Sequence, residues 1–140
     1  MAAWQADFHV VVEPIGLPSD YRARLAQVLP ETRSLGQDIA VWGSEAGDRV
    51  DVSSFDSGPQ EVFARFDLRE LRPDLYERFL AFVRGIGGRL VAASDGADVP
   101  LTLEAFIQSL QTSSAAQFVR DPEAYLRALN ANPIRMREEP

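Results

Sequence analysis

Between Asp38 and Leu68 three runs, DIAVW, RVDVSSF and EVFARFDL, follow one another with period-two alternation of apolar and polar residues. That period belongs to half-buried strands, and the short glycine-containing connections GSEAGD and DSGP predict antiparallel hairpins and hence a meander. An earlier strand is expected from about Asp7 to Glu13, in the β-branched run DFHVVVE closed by Pro14. Elsewhere the period changes to that of a helix. Tyr21, Leu25, Val28 and Leu29 share a face that starts near Pro18 and Ser19 and stops at Pro30.

A longer helix is predicted from Arg72, with Pro73 in its first turn, Leu75, Phe79, Phe82, Val83 and Ile86 on its apolar face, and Gly87 and Gly88 ending it. RLVAAS then reads as a fifth strand and DGADVP as a loop. Thr102 caps a helix carrying Leu103, Phe106, Ile107 and Leu110, and Ser113 and Ser114 begin a short helical turn. Asp121 and Pro122 open a last helix with Tyr125, Leu126 and Leu129 facing inward.

The expected order is β-α-β-β-β-α-β-α-α. Three successive strands exclude a purely parallel β-α-β fold. The class expected is therefore α+β: a five-stranded mixed, mainly antiparallel sheet with helices packed mainly on one face. One domain over residues 1–132 and a C-terminal tail over 133–140 account for the whole chain.

Alternation also assigns faces. A turn centred on Ser57 and Gly58 sets Asp51 opposite Arg65 and Arg49 opposite Asp67, with Val50 against Phe66 and Val52 against Ala64. A turn within SEAG sets Val41 opposite Val50 and Ile39 opposite Val52. Trp42 then falls opposite Arg49, off the valine stripe, where a guanidinium can stack on the indole. Trp42, Arg49, Asp51, Phe63, Arg65 and Asp67 are thus expected to share a polar and aromatic sheet face. Aromatic residues and arginine on an otherwise polar face are what a protein-binding hot spot contains.

Composition narrows the chemistry. The net charge of -7 argues against nucleic-acid binding, which needs a basic surface. All 14 basic residues are arginine, and there is no cysteine, so disulfides, thiol nucleophiles and cysteine metal sites are excluded. The segment MAAWQADFHVVVEP lacks the basic region and long apolar run of a signal peptide, and no apolar stretch approaches a membrane span, so a cytoplasmic protein without a membrane partner is expected. His9 is the only histidine, DGAD lacks the ligand spacing of a calcium loop, and GIGG follows a helix where a phosphate-binding loop would precede one. No catalytic residue, metal or cofactor is therefore assigned. In size, acidity and layout the chain is similar to the small α+β immunity and accessory proteins of bacteria, an analogy that carries no shared motif. The acidic charge, the missing catalytic constellation and the Trp42, Arg49 and Phe63 face are what point to a non-enzymatic interaction or accessory module. The expected partner is a protein, in particular a basic one, with a homodimer as a further option. The alternative is a small-ligand protein or enzyme with a pocket between the sheet and the C-terminal helices, lined by His9, Tyr125 or the DGADVP loop.

Overall fold

The computed structural model describes residues 3–12, 16–35, 38–54, 60–123 and 127. Seven strands and four helices follow in the order β1 (Gln5–Val11), α1 (Tyr21–Ala26), β2 (Glu31–Leu35), β3 (Ile39–Gly43), β4 (Arg49–Ser53), β5 (Glu61–Asp67), α2 (Pro73–Gly85), β6 (Arg89–Ala92), β7 (Asp98–Val99), α3 (Leu103–Gln111) and α4 (Ser114–Arg120). They form one sheet in the order β2-β3-β4-β5-β1-β6-β7, and every pairing described is antiparallel.

The α+β class and the meander therefore hold, while the strand count rises from five to seven. Of the added strands, β2 has the sequence ETRSL, which carries no apolar alternation, and it is recruited at the edge by pairing with β3. A two-residue strand such as β7 has no period to read. No mixed pairing occurs among the described strands. β5 and β6 both flank β1 and are joined through α2, so the parallel relation expected of a β-α-β unit is split by an antiparallel strand.

The helices begin and end where their chemistry dictates. Thr102 accepts a hydrogen bond from Ala105 N–H at 3.2 Å, and Ser113 does the same for Ala116 at the start of α4. Gly87, at φ +70°, carries the chain out of α2. The helix expected behind Asp121, with Tyr125, Leu126 and Leu129, lies largely outside the described residues, as does the tail 133–140.

Alternate residues of the strands, among them Phe8, Val10, Val50, Val62, Ala64, Phe66 and Leu90, form one buried cluster with Leu25 of α1, Leu75, Phe79 and Val83 of α2, Phe106 and Leu110 of α3 and Ala115 of α4. Its centre is aromatic. Phe66 meets Tyr76, Phe79 and Phe106 edge-on at ring distances of 5.4, 5.0 and 5.3 Å. All four described helices contribute to this cluster, and on the other side of the sheet the side chains are only partly exposed, Arg49 and Asp51 to 12 and 13 % and Arg65 and Asp7 to 30 and 22 %.

Candidate functional site

The register of the sheet decides what the side away from the helices presents. Trp42 pairs with Val50, not Arg49, and Ala40 pairs with Val52. This is a one-residue slip from the expected register, and it exchanges the two faces of β3. Trp42 is fully buried in the core and leaves the expected surface, while Val41 moves to the other side, opposite Asp51.

The slip arises in the connection. Gly43 adopts φ +96°, and a five-residue loop, Ser44–Asp48, closes with Ser44 N–H on the Asp48 carbonyl at 3.0 Å. Energetics favour this outcome. Burying an indole removes about 200 Å2 from water, roughly 5 kcal/mol, less about 1–3 kcal/mol because Trp42 Nε1 has no acceptor among the described residues, whereas each cross-strand pairing is worth about 0.2–1 kcal/mol. Tyr21 of α1 meets the indole edge-on at 6.2 Å, and the guanidinium that lies over it, at 5.7 Å, belongs to Arg22.

β4 and β5 keep their expected faces but slip by two residues. Arg49 is opposite Arg65 and Asp51 opposite Phe63. The expected pairings of Asp51 with Arg65 and Arg49 with Asp67 do not form; the turn residues Ser57 and Gly58 lie outside the described residues. Two arginines directly opposed would repel, and the structure answers with a carboxylate for each. Arg49 Nε donates to Asp51 Oδ1 at 2.6 Å, a bond that holds the guanidinium above its ordinary pKa. Arg65 Nε lies 3.5 Å from Asp7 on β1. This is an ionic contact rather than a hydrogen bond, since Asp7 Oδ1 is buried without a donor among the described residues.

Pairing of β1 with β5 completes the surface. His9 falls opposite Phe63, and the rings stack at 4.7 Å and 15°. Two rows then run across β4, β5 and β1: Arg49, Arg65, Asp7 and, beside it, Asp51, Phe63, His9. Burial raises the Asp7 pKa; Arg65 offsets this and the nearby Asp51 reinforces it. Five of the six expected residues, Arg49, Asp51, Phe63, Arg65 and Asp67, thus share the side away from the helices. Asp7 and His9 join them; His9, expected to line a pocket between the sheet and the helices, is instead opposite Phe63 on this side and is not among the residues lining the cleft there. Alternation places both on one side of their strand, but β1 and β5 lie more than fifty residues apart and nothing local specifies their pairing.

Asp67, at the end of β5, belongs to a second arrangement. It holds Arg69 through both carboxylate oxygens, and its N–H donates to Asp48 at 2.7 Å. The β3–β4 loop beside it is clamped by side chains. Gln5 Nε2 donates to the carbonyls of Glu45 and Gly47, while Trp4 Nε1 and Arg69 Nη2 both reach that of Ala46. Arg69 also lies 4.1 Å from the Trp4 ring centre.

The alternative location, between sheet and helices, is filled at its centre by the aromatic cluster. A cleft of about 260 Å3 opens at its edge, where Asp7, Ser94, Asp95, Ser109 and Ser113 are among the lining residues. Asp95 is the one residue of the DGADVP loop that lines it. Its side chain accepts from Ala97 N–H, and the Ser113 hydroxyl is engaged with Leu110 and Ala116. Tyr125 lies outside the described residues. Among the described residues no three metal-ligating side chains gather, and no helix is long and apolar enough to cross a membrane.

No protein-family model matches the chain, and no curated protein or solved structure does.

Proposed function

We propose that this protein is a non-enzymatic interaction module that binds another protein through the face of its sheet away from the helices. The observation that carries the reading is the stacked Phe63–His9 pair, bracketed by Arg49 and Arg65, on that face. Both arginines are restrained by carboxylates of the same chain, so ordering them against a partner costs little further side-chain entropy. An aromatic centre with arginine at its border is the composition that concentrates binding energy. Trp42 has no part in this surface.

Crosslinking in the native host tests it. Crosslinks from the recovered partner should map to β4, β5 and β1. Phe63→Ser should weaken recovery by about 2 kcal/mol or more, roughly thirtyfold in affinity, with thermal unfolding little changed. Crosslinks confined to the helix layer, or undiminished recovery by Phe63→Ser, would overturn the reading.

A further inference from the structure

We infer that the occupant of this sheet face is the same face of a second copy of this chain, related by a two-fold axis running along β5. The inference rests on the reading of that face as an interaction surface and names its partner.

Charge comes first. At physiological ionic strength charges beyond about 8 Å are screened, so the pattern within the contact matters more than the net charge of -7. That pattern is mixed. Asp51 carries Arg49, Asp7 carries Arg65, and Asp67 carries Arg69. A uniformly basic partner would find these aspartates already engaged and would meet the arginines beside them. A partner with the same mixed pattern can set its arginines over these aspartates and its aspartates over these arginines, and a second copy has that pattern by construction.

The register supplies the geometry. A two-fold axis along β5, midway between facing sheets, exchanges β4 of one copy with β1 of the other and preserves position along the strands. Arg49 then lies over Asp7 of the second copy, and Asp51 over His9 of the second copy. Both relations follow from the two rows across β4, β5 and β1. Phe63 falls on the axis and meets its own copy. Arg65 also falls there, and the Asp7 that lies 3.5 Å from it in each copy supplies the counter-charge. Long side chains suit the roughly 10 Å spacing of stacked sheets.

The available area bounds the strength of the contact. The seven strands total 35 residues, which at about 3.4 Å per residue and about 4.8 Å per strand is roughly 570 Å2 of sheet. That is below the roughly 800 Å2 each partner of a standard-size interface contributes, and it fits a weak dimer whose population depends on concentration.

The test is sedimentation velocity on the purified chain over a concentration series, with folding followed by circular dichroism. The wild type should sediment as a dimer whose fraction rises with concentration. Arg49→Asp and Asp7→Arg should each weaken dimerisation more than about tenfold, because each sets like charges face to face at two symmetry-related positions. Mixed in equal amounts, the two variants should associate again. The aspartate introduced at position 49 of one copy would then meet the arginine introduced at position 7 of the other, and the native Arg49–Asp7 contact survives at the symmetry-related position. A wild type that stays monomeric at its highest soluble concentration overturns the inference, as does a mixture no more associated than either variant alone. Either result leaves the interaction reading intact if host crosslinks still map to β4, β5 and β1. Crosslinks confined to the helices would remove both.

Discussion

Asp48 is a carboxylate with a single acceptor role and a costly position. Only 8 % of its surface is exposed, its Oδ1 accepts from Asp67 N–H, and Arg72 approaches its other oxygen at 3.6 Å. Burial raises its pKa despite that hydrogen bond and Arg72, with Asp67 and Glu70 adding to the rise. A carboxylate whose folded pKa exceeds its unfolded value binds protons more readily in the folded state, so its contribution to stability falls as pH rises through the folded value. Asp48→Asn keeps the acceptor and removes the charge. Chemical denaturation should find it more stable than wild type at pH 7, with the advantage vanishing as pH falls below the ordinary carboxylate value of 3.8. Asp48→Ala should instead lose about 1–3 kcal/mol, because Asp67 N–H is left without its partner. Gly43 is the complementary case in backbone form. At φ +96° a Cβ would sit 2.1 Å from the Asp48 carbonyl oxygen. Gly43→Ala should cost about 1–3 kcal/mol in strain before the clash is counted, read as a lowered denaturation midpoint.

Among the elements, the β3–β4 hairpin depends most on groups remote in sequence. Trp4, Gln5 and Arg69 together hold three consecutive carbonyls of its tip, so hydrogen exchange should report their removal locally. Gln5→Ala is expected to speed exchange at residues 44–48 while β5 stays protected. A uniform rise across the sheet would show instead that the clamp supports the whole fold. α3 is more self-contained. Thr102→Ala should cost about 1 kcal/mol through the lost cap, measured by equilibrium unfolding. These two elements differ in what sequence reveals. The cap lies three residues from the amide it serves, whereas Gln5 is forty residues from Glu45.

Across the whole molecule, two neighbouring phenylalanines of β5 divide structure from surface. Phe66 is fully buried among Tyr76, Phe79 and Phe106, and Phe66→Ala should cost about 3–5 kcal/mol. Phe63 stacks on His9 on the side away from the helices, so its replacement should change association far more than stability. If both variants lose stability equally, that side is a second core face rather than a docking surface.

What the chain determined by itself was local: the strand and helix periods, the cap at Thr102, the helical turn begun at Ser113, and the division of β4 and β5 into an apolar and a charged side. A side-chain period of two survives a two-residue slip, which is why Arg49, Asp51, Phe63 and Arg65 stayed together although their partners changed. Only the tertiary structure decided the rest. The fate of Trp42 hung on one extra residue in the loop after Gly43, and a one-residue slip inverts every side chain of a strand. Local pairings worth tenths of a kilocalorie could not outweigh an indole that only the docking of α1 makes possible to bury. The ETRSL edge strand and the His9–Phe63 stack likewise required neighbours brought together by the fold. Their free energy resides in contacts across the sheet, and no period along the chain records it.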